Sequence, residues 1–167
     1  MVGIPIVHVG NLRHMPSFPQ IALVYLMYHS DRFVDRFVES LTRLTYPLKD
    51  LLIVAVDHPH PDYGSTVPAL EAALARYRGL GMLFPKVVVV QQKENRGFSA
   101  GVNTGMSVAL DHGCEYIFLH SHDGFLAPDA LRSLVEAMKY DTTIGAAQAL
   151  MLSYPETDKV NNEGGIV

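Results

Sequence analysis

Residues 94–105, which read ENRGFSAGVNTG, have a composition that suits ligand binding at a strand-to-helix junction. Glycines permit tight turns and a close approach of the backbone to a ligand. The spacing differs from the dinucleotide-binding Gly-x-Gly-x-x-Gly, and the chain has no Gly-Lys-Ser/Thr phosphate loop. The alternative interpretation is that the glycines only let a helix pack closely on a sheet. The segment contains Asn95, Gly97, Gly101, Asn103 and Gly105.

Two aspartates, Asp57 and Asp123, each follow an apolar run. A carboxylate at such a place can accept a hydrogen bond from a base or ribose, or hold a hard divalent cation through its oxygens. The commoner role of a loop aspartate is to cap a turn or a helix. Both aspartates follow apolar runs that would be strands of one sheet, and the asparagine- and glycine-containing segment follows a third such run. All three would then lie at the same edge of the sheet, which favours a shared site.

The elements that position these residues are predicted from apolar periodicity. Strands are expected over residues 21–28, 51–56, 86–91 and 116–120, and their continuous apolar character favours coverage on both faces. Helices are expected after Ser30, which is placed to cap the first, over about residues 66–78 and from Pro128 onward, and residues 97–112 are expected to be a loop that runs into a helix. This alternation predicts a Rossmann-type three-layer α/β/α sandwich with a mainly parallel sheet. In such sheets, ligands bind beyond the carboxyl ends of the strands.

The predicted organisation has three parts. Residues 1–20 form an N-terminal arm, residues 21–152 form one domain, and residues 153–167 form a polar C-terminal tail that is expected to be a truncated continuation. Residues 144–152 are expected to be extended and to form a fifth strand.

Composition excludes several classes of protein. The chain has 167 residues, of which 49% are hydrophobic and 18% charged, with a formal net charge of −4. These values argue against chain-wide disorder and against nucleic acid as a partner. The single cysteine, Cys114, excludes an internal disulfide. No apolar run is long enough for a transmembrane segment and no secretory signal is visible, so we expect a cytoplasmic protein, with peripheral membrane attachment left open.

Four motifs in this order resemble those of the family 2 glycosyltransferases over about residues 21–150. They are MYH at 27–29, VD at 56–57, NRGFSAGVNTG at 95–105 and SHD at 121–123. The resemblance implies the GT-A fold and a nucleotide-diphosphate sugar as donor. The implied reaction transfers the sugar to an acceptor hydroxyl on a glycan, a lipid or another molecule, with metal assistance and inversion.

The same resemblance implies roles for individual residues. It places Tyr28 in the nucleotide pocket and Asp57 on the base. It also implies that Mg²⁺ or Mn²⁺ bridges the diphosphate and Asp123, because a bound cation stabilises the charge of a departing nucleoside diphosphate. The residues expected to border the nucleotide and the sugar are Asn95, Arg96, Gly97 and Asn103.

Histidines are frequent at the predicted strand ends. In the family's sheet order 3-2-1-4, strands two, one and four are adjacent, so His29, His58 and His122 are expected to reach a common volume beside Asp123. They would bind diphosphate as imidazolium groups or form a transition-metal site with Asp123. The alternative is that they are unrelated loop residues. His60 and His120 lie at the same strand ends.

The sequence also departs from the family's pattern. Ser121 replaces the first aspartate of the metal motif, and DHPH at 57–60 replaces the usual Asp-Asn-x-Ser. No catalytic base is assigned, since Glu156, Asp158 and Glu163 fall in the polar tail. Two functions therefore stay open: a glycosyltransferase, or a non-catalytic nucleotide-sugar-binding or partner-binding module reduced or cut from one. An exposed apolar surface would also allow homo-oligomers.

Overall fold

A computed structural model describes residues 18–156 and 158–162, which form a four-stranded parallel sheet flanked by helices. The strands are β1 (Ile21–Met27), β2 (Leu51–Asp57), β3 (Lys86–Gln91) and β4 (Tyr116–His120), in the order β3-β2-β1-β4. The helices are α1 (Asp31–Leu41), α2 (Val67–Gly79), α3 (Phe98–Asp111) and α4 (Ala130–Tyr140), with a 3₁₀ turn at Leu48–Asp50. The α/β fold predicted from the sequence is confirmed. No helix in the described part of the chain is long and apolar enough to cross a membrane.

The direction of strand addition reverses once, after β3. The chain adds β2 and then β3 on one side of β1, and β4 then joins the other side of β1. Because parallel crossovers are right-handed, this reversal places α3 on the opposite face of the sheet from α1 and α2. Successive β1 side chains point to opposite faces of the sheet. Tyr25 packs in a core with α1, α2 and α4, and Val24 packs in a smaller core with α3.

Burial separates the central strands from the edge strands. β1 and β2 are almost wholly buried, as their apolar runs predicted. The prediction of coverage on both faces is wrong for β3, whose residues are exposed or half-buried, with Val89 37% exposed. Leu119 in β4 is also 46% exposed. Both strands lie at the edges of the sheet, and an apolar sequence does not report whether a strand is central or at an edge.

The start of α1 matches the prediction in position and differs in its hydrogen bonds. Ser30 is the residue before the helix, and its carbonyl accepts from Phe33 N. Its hydroxyl accepts from Tyr28 N at 2.8 Å instead of capping a helix N–H. The serine therefore closes the turn that leads out of β1.

The C-terminal part differs from the expected fifth strand and irregular tail. Within residues 144–152 only Met151–Leu152 (β5) forms a strand, and it pairs antiparallel with Val160–Asn162 (β6) in a separate two-stranded sheet. The Arg36 guanidinium lies 4.0 Å from the centre of the Tyr154 ring, a cation–π contact that joins this hairpin to α1. Of the predicted N-terminal arm, residues 1–17 lie outside the described residues.

Gly105 allows α3 to pack closely on β1. A Cβ at this position would lie 2.3 Å from Val24 Cγ1, and Val24 is fully buried. We expect Gly105→Ala to destabilise the protein by about 1–3 kcal/mol through overpacking. Gly79→Ala is the matched control, since a Cβ there meets nothing within 4 Å and alanine favours the helix. Urea unfolding of the two variants checks the difference; equal stabilities would contradict the packing argument.

Candidate functional site

The candidate site lies where β1, β2 and β4 end. In the parallel register Met27 is opposite Asp57, and Tyr25 is opposite His120. The loops after these strands therefore leave from the same edge of the sheet, the one formed by the carboxyl ends of the strands. The predicted placement of Asp57 and Asp123 at the same edge is therefore confirmed. The reversal of strand order falls between β1 and β4, and open α/β sheets bind ligands in the crevice at such a point.

Asp57 anchors the start of α2. Its Oδ2 accepts a hydrogen bond from Ser65 Oγ at 2.6 Å, and its Oδ1 accepts from Thr66 N at 3.0 Å. Asp57 is 1% exposed. This is the capping role that the sequence left as the alternative. Ser65 and Thr66 were missed, although a Ser-Thr pair directly before a Val-Pro helix start is a capping signal.

Asn95 and Gly97 form a tight turn before α3. Asn95 Oδ1 accepts from Gly97 N at 2.8 Å and lies 3.0 Å from His58 Nδ1. Gly97 has φ +86°, a backbone conformation that favours glycine, and precedes the first residue of α3. Arg96 and Asn103 are exposed. His58 therefore contacts the turn from the end of β2, and Asn95 and Arg96 are exposed to solvent on its other side.

The glycines of α3 are used for packing. A Cβ at Gly101 would lie 2.6 Å from His58 Nε2, and one at Gly105 would overlap Val24. The packing interpretation therefore holds for these two glycines. Gly97 differs, since a Cβ there meets nothing within 4 Å and the positive φ is what requires glycine.

Four rings gather where β1 and β2 end. The His29 ring stacks on Tyr63 at 4.0 Å between ring centres, and His60 lies 5.2 Å from His29 and 5.1 Å from Tyr28. Tyr28 is 39% exposed and Tyr63 is 66% exposed. Tyr63 was missed because it lies in a loop whose sequence carries no periodicity. The loops after β1 and β2 are thus joined by ring contacts.

The turn after β4 presents Asp123 to solvent. The Ser121 hydroxyl donates to Asp123 Oδ1, and this bond, with smaller contributions from a backbone N–H and the neighbouring His122, lowers the pKa of the Asp123 carboxyl below its usual value. The carboxylate is therefore ionised throughout the neutral range. His120 lies beneath the turn, its Nε2 3.1 Å from the Gly124 carbonyl oxygen, and burial lowers its pKa to about 4. It is neutral near pH 7 and donates Nε2–H to that carbonyl.

The three predicted site histidines have separate surroundings. His29 contacts Tyr63, His58 contacts Asn95, and the His122 ring lies 5.6 Å from Phe33. Within residues 18–156 and 158–162, no three His, Cys, Asp or Glu side chains are grouped to hold a metal ion. The transition-metal site with Asp123 is therefore not found in this part of the chain, because each of the three histidines has its contacts with different residues.

A magnesium- or manganese-type ion makes smaller demands on the protein. Such ions are commonly held by one or two carboxylates together with substrate phosphates, and they keep several waters. Asp123, ionised and exposed beside the Ser121 hydroxyl, fits that donor set.

Comparison with known proteins assigns the family. The model of glycosyl transferase family 2 matches residues 24–163, so the chain belongs to this family. Curated protein sequences give no match. Among solved structures, the mannosyltransferase PcManGT from Pyrobaculum calidifontis, in complex with GDP-Man and Mn²⁺, has a TM-score of 0.60 at 22% identity, over 74% of this chain and 33% of its own. S. aureus TarS 1-349 in complex with UDP-GlcNAc has a TM-score of 0.56 at 16% identity, over 74% of this chain and 32% of its own.

The TM-scores show that the chain shares the GT-A fold of these neighbours. The chain spans about a third of the length of either neighbour.

Removal of the Ser121 hydroxyl should raise the pKa of Asp123. The hydroxyl bond is the main cause of the lowered value, so Ser121→Ala should move the pKa of this carboxyl up toward the ordinary value of about 3.9. Carboxyl-carbon NMR titration measures the change directly. Ser107→Ala, at an exposed position on α3, is the matched control and should leave the titration of Asp123 unchanged. An unaltered pKa in Ser121→Ala would show that the bond does not form in solution.

Proposed function

We propose that this chain is the donor-binding part of a glycosyltransferase that uses a nucleotide-diphosphate sugar. The observation that carries the proposal is the exposed, ionised Asp123 beside the β1/β4 reversal in a chain of glycosyl transferase family 2. The neighbours that share its fold are in complex with GDP-Man and with UDP-GlcNAc, which supports a nucleotide-sugar donor here.

Residues from three loops would form the nucleotide and sugar site. Tyr28 is half exposed at the end of β1 and offers a ring face to the nucleotide. The turn at Asn95 and Gly97 would border the donor, and Arg96 supplies a positive charge for it. Asp57 is buried and hydrogen-bonded at both oxygens, so we assign it to fixing the start of α2 beside the nucleotide, with a base contact as its remaining predicted role. Asn103, one turn into α3, is proposed at the outer margin.

Asp123 would hold a divalent cation, Mg²⁺ or Mn²⁺, together with the diphosphate. The Ser121 hydroxyl orients the carboxylate and keeps it ionised. When bound, the cation stabilises negative charge on the leaving nucleoside diphosphate. His29 and His122 lie on the two loops that flank the β1/β4 reversal and stay candidates for contact with the diphosphate.

The proposed reaction transfers the sugar, with inversion, to a hydroxyl of a glycan, a lipid or another acceptor. Inverting transfer requires a base within hydrogen-bond reach of that hydroxyl. Neither aspartate suits this role, because Asp57 is buried in hydrogen bonds and Asp123 is assigned to the cation. That mismatch favours a second candidate, a non-catalytic module that binds nucleotide sugar or a protein partner.

Asp123→Ala should weaken metal-dependent binding while the fold stays intact. Titration calorimetry with UDP-GlcNAc and GDP-Man, each with and without Mn²⁺, should give an affinity for one of them that Mn²⁺ strengthens. Loss of the only carboxylate assigned to the ion should reduce the Mn²⁺-dependent affinity about tenfold or more. Asp111→Ala removes another exposed aspartate, at the far end of α3, and should have no effect.

The outcomes separate the two candidates. Binding that is equal in Asp123→Ala and in the parent chain would remove the metal assignment. Binding without release of nucleoside diphosphate, in the presence of hydroxyl acceptors, would favour the non-catalytic module.

A further inference from the structure

His58 is a buried polar residue at the centre of the candidate site. It follows the last residue of β2 and is 5% exposed, so its ring is not available to a ligand. Its backbone N–H donates to the Met27 carbonyl at 2.9 Å, which continues the β1–β2 pairing by one residue. The backbone of His58 is therefore held to the sheet.

The ring of His58 is fixed from the other side by α3. Gly101 leaves the space that the ring occupies, since a Cβ there would lie 2.6 Å from Nε2 and 3.2 Å from Cε1. A side chain clamped between a strand end and a helix has little freedom to change its rotamer. A group that bonds to this ring is therefore fixed in position relative to both the sheet and α3.

The hydrogen-bond pattern fixes which ring nitrogen carries the proton. Asn95 Oδ1 accepts from Gly97 N, so this atom is the amide oxygen, and the contact with His58 must be a bond that Nδ1–H donates. Nε2 of the neutral ring is then the unprotonated nitrogen. It is buried and has no hydrogen-bond partner in the described part of the chain. The bond to Asn95 is thus the only polar contact of the ring there.

We propose that His58 is a positioning residue that holds the Asn95–Gly97 turn against the end of β2 for the nucleotide-sugar donor. The proposal rests on the function proposed above and replaces direct diphosphate binding by His58. Nδ1–H donates to Asn95 Oδ1, that oxygen accepts from Gly97 N, and Gly97 opens α3. The chain of bonds fixes the direction of the Asn95 amide, and the NH₂ group of this exposed residue would then face the donor.

His58→Leu and His58→Asn test the bond separately from the bulk of the ring. Asparagine places an amide nitrogen where Nδ1 stands, so it keeps the donor, and its amide oxygen replaces Nε2 as the buried acceptor. Leucine fills space without a donor. His112→Leu, at an exposed position at the end of α3, is the matched control. Circular dichroism and thermal melting establish that each full-length variant is folded.

Two readouts are measured on each folded variant. The first is amide hydrogen exchange at Gly97, which needs no ligand. The second is the affinity for UDP and for GDP with Mn²⁺. We expect His58→Leu to lose protection at Gly97 and to bind the preferred nucleotide about three- to tenfold more weakly, the usual effect of one internal hydrogen bond. His58→Asn should restore both values, and His112→Leu should match the parent chain.

Gly101→Ala gives a second test in which His58 is retained. Its methyl group displaces the ring, so we expect faster exchange at Gly97 and weaker binding. The double variant Gly101→Ala with His58→Asn should recover, because asparagine lacks the two ring atoms closest to that methyl group. This variant also keeps the proposal testable if His58→Leu fails to fold.

The results decide between positioning and packing. Equal losses in His58→Leu and His58→Asn, or unchanged exchange at Gly97 in His58→Leu, would overturn the proposal. If the parent chain binds neither nucleotide while exchange at Gly97 follows the donor at residue 58, the turn is positioned as proposed and the proposed function is what fails.

Discussion

The close approach of α3 to the sheet is the constraint on which the site depends. α3 packs on β1 and β2 through positions that lack a side chain, Gly101 against the end of β2 and Gly105 against Val24. A larger residue at either place would push the helix outward and take the turn at Gly97 with it. Because the strand order reverses after β3, this helix crosses back over β2 toward β4, and its first residue starts beside the ends of β1 and β2. The distance between α3 and the sheet therefore sets the position of the turn at Gly97 relative to the loops after β1 and β2.

Polar groups at this edge act largely inside the protein. Asp57 holds the start of α2, His58 holds Asn95, and His120 holds the turn that carries Asp123. Buried polar side chains are costly unless they form hydrogen bonds, and each of these bonds an adjacent loop. Other residues of these loops, among them Tyr63, Arg96 and Asp123, face solvent. The exposed residues of these loops are thus positioned by hydrogen bonds from buried side chains beneath them.

The strands, the helices and the common edge for Asp57 and Asp123 could be predicted because they follow from short-range periodicity and the rule for parallel sheets. The burial of His58 could not, because it depends on a glycine in a helix about forty residues later in the chain. The pairing of β5 with β6 was missed for the same reason, since two short segments gain strand structure only from each other. His29, His58 and His122 were predicted to meet because strand ends are neighbours, but each of them contacts different residues. Local pattern predicts elements, whereas the surroundings of a side chain depend on contacts between distant segments.

The two outer strands of the sheet have unlike edges. Within the described residues, β3 and β4 each have a strand neighbour on one side only, so each leaves a row of backbone N–H and C=O groups open on the other. β3 begins with Lys86, and charge on an edge strand opposes the docking of a further strand. β4 reads YIFLH, has no Lys, Arg, Asp or Glu, and exposes Leu119. In the part of the chain that the structure describes, the β4 side is therefore the edge of the sheet at which no strand charge opposes pairing with a further strand.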